Sequence, residues 1–392
     1  MVFPVRGLLG IEYYLVYAII LEDVETSTSI TYYIDSNTGD LICAENVSNH
    51  ASMNGTVTGY IFPEHSTDSK VQEGWDIGTV SAGSYHDETT GTGYYDITVP
   101  STGSYTVTAS LESDHLRIVD YSGPELSHSG LGYTWINHNW SWNNSGTYSA
   151  ATDDQVNAWY HGTLMYEMFK NSPFNHDMMS QHYFTDYVGD KLTIQVRSDN
   201  VTHGYYTAAT GKILLGQGTS QTSNPALDND WIYHEMGHAV YYSIMDSNYY
   251  SYGGGDFSTI KEGLSDYWAC TINNDSQVLE VSKPSSARDL DNDLVSGEDC
   301  LGSENTLYCV SQIFGGALWD IRQLLGSSIS NNLIFESLFD DAVIIEDFLD
   351  VLLVNDDIYY GDGDGTVTTS TPHIDDILYA FGDHGYYPAT AS

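Results

Sequence analysis

Apolar and polar positions alternate in short runs over the first third of the chain and recur at helical spacing over much of the rest. Glu12 to Glu22 and Ser29 to Ile34 read as two strands closed by the turn Asp35-Ser-Asn-Thr-Gly39. Thr56 to Ile61, Tyr95 to Val99, Tyr105 to Ala109 and Leu116 to Tyr121 are period-two runs in a segment rich in Gly, Ser, Thr and Tyr, which predicts a small β-sandwich. A linker is expected over Ser122 to Gly132. From Asp153 the period changes: Val156, Trp159, Tyr160, Leu164 and Phe169 fit one face of a helix that stops before Pro173. Two further strands are predicted at Leu192 to Val196 and Lys212 to Leu215. Beyond Pro225 the pattern is mainly helical, with a glycine-rich loop at Gly253 to Gly255, and no internal repeat is found.

A chain of 392 residues, 41% of them hydrophobic, has enough apolar mass for a large core and two or three domains. Its 32 Tyr, 8 Trp and 11 Phe argue against disorder. Charge narrows the function classes. Asp and Glu total 54 against 11 Lys plus Arg, a net −43 that repels phosphate backbones and anionic lipid, so nucleic-acid and membrane-surface partners are disfavoured. The acidity fits either solubility in high salt or cation binding.

The apolar stretch Tyr13 to Leu21 is far shorter than the roughly 20 residues of a membrane-spanning helix. It lacks the basic start and small-residue cleavage site of a signal peptide, so the chain is expected either to be cytosolic or to begin after its leader. The four cysteines, Cys43, Cys270, Cys300 and Cys309, show no CxxC spacing; Cys300 and Cys309 either close a short disulfide, as in an exported protein, or remain thiols. Asn-x-Ser/Thr sequons at Asn46, Asn54, Asn139, Asn143, Asn200 and Asn274 point weakly outward from the cell as well.

The chemistry concentrates in His234-Glu-Met-Gly-His238. On a helix, His234 and His238 are four apart, so both imidazoles leave one face and can share a metal. Glu235 lies about 100° round the helix from His234, placed to reach a water on the metal rather than the metal itself. After 23 intervening residues comes Glu262-Gly-Leu-Ser-Asp266, two carboxylates again four apart. Two imidazoles and one carboxylate, with a fourth position open, form a ligand set that zinc uses for hydrolysis. Asp266 is then placed to accept the far N–H of a ligating histidine. Singly, these residues also suit an amphipathic surface helix in an acidic protein; together they point to a metal.

HEMGH followed by EGLSD resembles the gluzincin metallopeptidases, the fungalysin and thermolysin families above all. Arg288-Asp-Leu-Asp-Asn is similar to the segment whose arginine binds a substrate carbonyl in thermolysin-like enzymes. Gln312-Ile-Phe-Gly-Gly-Ala-Leu-Trp-Asp-Ile-Arg322 resembles the fungalysin helix ending in LWD, and Thr371-Pro-His to His384-Gly385 resembles an ending found in relatives. Leu15-Val-Tyr and Tyr33 to Leu41 look like the last strands of the family's propeptide. The resemblance implies zinc on His234, His238 and Glu262, Glu235 as the proton carrier, Asp266 behind a ligand and Arg288 on the substrate. Where the family places a histidine that stabilises the transition state, this chain has Tyr308; a phenol donates a hydrogen bond too, and aminopeptidase-type gluzincins use a tyrosine so, although their GxMEN-type anchor is missing here. Tyr249 and Tyr250 are weaker candidates for that role.

Asp356-Asp357 and Gly361-Asp-Gly-Asp-Gly365 offer a further site. Asp362 and Asp364 supply oxygen ligands that suit calcium, without the full EF-hand pattern, and an acidic turn with no ion fits equally. The expected architecture is α+β: a propeptide remnant over 1–50, a β-sandwich over 51–125, and over 126–392 a thermolysin-like two-lobed zincin domain with a mixed sheet, an active-site helix and a mainly helical second lobe from near 250. The expected function is a secreted zinc endopeptidase acting on proteins or peptides, its own propeptide among its partners. The alternative is a catalytically impaired zinc-binding surface protein of the same fold.

Overall fold

The computed structural model describes residues 2–7, 10–23, 28–46, 50–178, 191–199, 201–245, 255–300, 306–368 and 371–388. Val2–Gly7 (β1), Gly10–Asp23 (β2), Thr28–Asp35 (β3) and Leu41–Asn46 (β4) form an antiparallel sheet in that order. The turn after β3 is made by its own side chain: Asp35 Oδ1 accepts the N–H groups of Asn37 and Thr38 at 2.7 and 3.3 Å. Gly39 follows at φ +79°, where a residue without Cβ is least strained. Tyr13, Leu15, Tyr17 and Ile19 on β2 are exposed, whereas Val16 is buried.

The next strands are Ala51–Ile61 (β5), Val71–Gly74 (β6), Thr79–Ala82 (β7), Tyr85–Glu88 (β8), Tyr94–Val99 (β9), Ser104–Ser110 (β10), Leu116–Asp120 (β11), Ser127–Tyr133 (β12) and Trp140–Ser141 (β13). Burial alternates along β5 and β9 as one buried face requires. One sheet has the order β12-β10-β7-β8; another has β13-β5-β6, with β9 also paired to β5. The expected linker is therefore largely strand. Ser127-His-Ser-Gly-Leu-Gly-Tyr133 has no apolar alternation of its own and is ordered by its antiparallel ladder with β10.

Leu192–Ser198 (β14), Gly204–Thr207 (β15) and Lys212–Gly216 (β16) complete a mixed sheet of order β11-β14-β16-β15. β11 pairs with β14 in parallel, so no sheet boundary falls at 125. Trp75, before β7, stacks on Trp159 with ring centroids 5.6 Å apart, and one core cluster runs from Met53 to Tyr386. Trp159 belongs to Asp153–Lys170 (α1), whose Val156 and Phe169 are buried while Leu164 stays 44% exposed. Asn229–Ile244 (α2), Gly255–Asn273 (α3), Thr306–Leu325 (α4), Ser327–Glu336 (α5), Ile345–Tyr360 (α6) and Ile374–Asp383 (α7) follow. The fold is mixed α+β. None of the described helices is long and apolar enough to cross a membrane. The expected lobe boundary near 250 and the candidates Tyr249 and Tyr250 lie outside the described residues.

Helix α2 starts from an ion cluster. Asp228 caps it, its Oδ1 accepting the Asp230 N–H at 3.1 Å. His65, on the segment after β5, is buried between them and Glu280: its Nε2 lies 2.8 Å from Glu280 Oε1 and its Nδ1 3.6 Å from Asp228 Oδ2. Ligand atoms of His65, Asp230 and Glu280 lie within 4.8 Å of one another. Burial would lower the imidazole's pKa, but Asp228 and Glu280 outweigh it and raise it to about 11. A folded pKa above the usual value of 6.5 means that this contribution to stability is complete below that value and lost as pH climbs toward about 11. His65→Leu leaves buried carboxylates without their cation and is expected to cost about 3 kcal/mol at pH 7. Urea midpoints taken at several pH values check this: the gap between the parent and His65→Leu should be full below about pH 6.5 and narrow from there toward about pH 11, and a gap that does not change with pH would exclude a charged His65.

Candidate metal centre

Three helical residues meet at the boundary of α2 and α3. Glycine sets the approach: a Cβ on Gly237 would fall 2.7 Å from the Ser265 Cα, so only glycine lets α3 come this close to α2. That approach brings His234 Nε2 to 3.3 Å and His238 Nε2 to 3.6 Å from the two Glu262 oxygens. All three residues are buried, at 4, 7 and 8% exposure. Donors each about 2.1 Å from a tetrahedral ion are separated by roughly 3.4 Å, so this spacing fits a zinc-sized ion. The group can hold a metal ion, its ligand atoms all lying within 4.8 Å of one another.

The far side of each imidazole is also held. His234 Nδ1 lies 2.7 Å from Asp266 Oδ1, and His238 Nδ1 lies 2.8 Å from the Ser265 hydroxyl. Both Nε2 atoms are thus turned toward Glu262, an arrangement typical of metal-ligating histidines. Burial would lower the His234 pKa, but Asp266 and Glu262 outweigh it and raise it to about 10. For Glu262, burial acts upward, yet His238 and His234 hold its carboxyl well below the usual range. A metal entering this group must displace a proton.

Glu235 sits beside the cluster and is not part of it. Its Oε2 accepts the Tyr206 N–H at 2.6 Å, so edge strand β15 fixes the carboxylate from the sheet side. Gly204 permits that contact, since a Cβ there would meet Glu235 Cγ at 3.0 Å and the Trp231 ring at 2.7 Å. Glu235, the three cluster residues, β15 and Tyr308 line one cleft of about 270 Å³. Tyr308 is 44% exposed on its wall; burial and then Glu262 push its phenol upward, so its O–H remains a donor at neutral pH.

Arg288 also lines the cleft. Its Nε and Nη2 bond both Asp266 oxygens at 2.5 and 2.6 Å, and Nη1 donates to the Ser286 carbonyl at 3.3 Å. Two arms of the fork thus orient Asp266, and through it His234. Asp362 and Asp364 lie elsewhere, exposed, with the buried Asp357 completing a group of oxygens within 4.8 Å. Asp356 is turned away toward His373, at 2.6 Å from its Nδ1. Cys300 and Cys309 are joined by a disulfide, while Cys43 and Cys270 are free. Asn143 bonds Tyr60 through backbone N–H and carbonyl and also Asp153, which occupies the amide of that sequon.

Sequence reading missed Ser265, Tyr206 and Lys283. Ser265 stands inside the quoted EGLSD segment and was findable there; the Tyr206 N–H and the Lys283 side chain join the cleft only through tertiary contact. No protein-family model and no curated protein matches this chain.

Proposed function

We propose that this chain is a secreted zinc endopeptidase of the thermolysin-like, two-lobed kind, with β1 to β4 as the end of a propeptide. One observation carries the reading: a His-His-Glu cluster opens onto a cleft with an uncoordinated Glu235 held at its edge. A purely structural zinc closes its coordination with protein and has no use for such a carboxylate. The disulfide between Cys300 and Cys309 supports an oxidising location.

Zinc held by His234, His238 and Glu262 would act as a Lewis acid on the scissile carbonyl and make a bound water more acidic. Glu235 accepts the proton of the attacking water while its Oε2 stays on the Tyr206 N–H, then returns the proton to the leaving amine. Tyr308 donates its O–H to the oxygen on which negative charge develops. Asp266 and Ser265 keep both imidazoles in place. β15 lies at the edge of its sheet among the described strands and lines the cleft, where an extended peptide can run beside it.

With zinc supplied, purified chain is expected to cleave casein, and a chelator is expected to stop it completely. Restoration by zinc after the chelator is removed checks that the loss lies at the metal rather than in the fold. One equivalent of bound zinc with no cleavage at any salt concentration would instead favour a zinc-binding surface protein.

A further inference from the structure

Cations are scarce in this chain, 11 against 54 acidic residues, yet Lys261, Lys283 and Arg288 all line the same 270 Å³ cleft. Their partners differ. Arg288 is spent on Asp266. Lys261 Nζ lies 3.8 Å from Glu262 Oε1 and 3.5 Å from the Tyr242 hydroxyl. Lys283 pairs with no carboxylate among the described residues; its ammonium sits 5.9 Å from the Trp231 ring centroid, a contact that steadies a cation without neutralising it.

Position adds to this. Trp231 is one turn before His234 on α2, whereas Tyr242, beside Lys261, is one turn after His238. The two lysines therefore flank the His-His-Glu cluster at opposite ends of the helix. Lys283 is set by its backbone, its N–H donating to the Leu279 carbonyl at 2.9 Å ahead of the rigid Pro284. Its charge reaches His203 across the cleft, where burial and then Lys283 lower the imidazole, leaving no second cation to compete there. With a divalent ion in place, positive charges outnumber Glu235, Glu262 and Asp266, so a chain of −43 carries a positive cleft.

We infer that the cleft reads an anionic side chain, and that Lys283 is the residue selecting Asp or Glu in the peptide beside the scissile bond. The inference rests on the peptidase reading for the presence of a scissile bond, but not for binding. The methylenes of a glutamate pack along Trp231 and Leu279 while its carboxylate meets the ammonium. Strong general negative charge on the enzyme would otherwise reject acidic peptides, so this contact reverses the expected discrimination.

Binding is tested apart from turnover, with the zinc-loaded Glu235→Gln chain titrated by unstructured hexapeptides that carry one Glu, Gln or Lys at each position in turn. Tryptophan fluorescence and calorimetry give the affinities. At one position the Glu peptide should bind about tenfold more tightly than its Gln twin, the ratio falling toward one in Lys283→Met and kept in Lys283→Arg. Lys283→Glu should turn the preference toward Lys. Equal affinity for Glu and Gln peptides at every position, or a ratio unchanged in Lys283→Met, overturns the inference; should Lys283→Met fail to fold, the Lys283→Glu and Lys283→Arg chains and the parent's own Glu-to-Gln ratio still decide. Mapping the casein cleavage sites separates the two readings: cleavage with no acidic preference removes only the Lys283 role, whereas selective binding with no cleavage removes only the peptidase.

Discussion

A Glu235→Gln chain is expected to keep one equivalent of zinc and lose peptide hydrolysis by about a thousandfold, the size of a general-base contribution. The substitution is nearly isosteric, and the glutamine Oε1 can still accept the Tyr206 N–H that now ends on Glu235 Oε2. Gly204 leaves room for the side chain at Cγ and Oε1, and glutamine has the same shape there. None of the atoms facing the metal position changes, because those are His234 Nε2, His238 Nε2 and the Glu262 oxygens. What disappears is the basic oxygen on the cleft side, the atom that takes and returns the proton. Metal content by elemental analysis and turnover on casein, measured on the same preparation, check both halves. Turnover within a few-fold of the parent would remove Glu235 from proton transfer; loss of zinc would show that it supports the site instead.

The centre was legible because its information is local. Residues four apart on a helix share a face whatever surrounds them, so His234 with His238, and Glu262 with Asp266, were paired by spacing alone. The closeness of α2 to α3 was written in Gly237, though only as a small residue whose significance needs the partner helix. Non-local features were not readable. β11 looks like a sandwich strand by its alternation, yet its partner β14 lies more than seventy residues later and in parallel. β12 has no pattern of its own and owes its conformation to β10. Leu164 fits the apolar face of α1 by period and is nonetheless exposed, because the neighbours of a helix, not its periodicity, decide how wide its buried face is. The grip of Arg288 on the fully buried Asp266, 22 residues before it, is likewise a tertiary contact that spacing does not reveal.

That last pairing gives the second large expected effect. Asp266 is inaccessible to solvent, and it joins the His234 imidazole to the Arg288 guanidinium, itself only 6% exposed. Burial would raise the Asp266 carboxyl, but Arg288 and then His234 win and keep it ionised, below its usual range. Asp266→Ala strands a buried cation and frees the far nitrogen of a metal ligand, so two separate losses are expected. Stability should fall by about 3–5 kcal/mol, the cost of leaving one member of a buried pair alone. Zinc affinity should fall by about 10- to 100-fold as His234 loses its orientation. The two are separable: Asp266→Leu combined with Arg288→Met removes the stranded charge and should recover most of the stability while the zinc affinity stays low. Urea midpoints measured without metal and competition titrations for zinc give the two numbers independently. If the double variant regained parent zinc affinity, the His234–Asp266 contact would be packing alone, and the metal site would be set by the approach of α2 to α3 without help from behind.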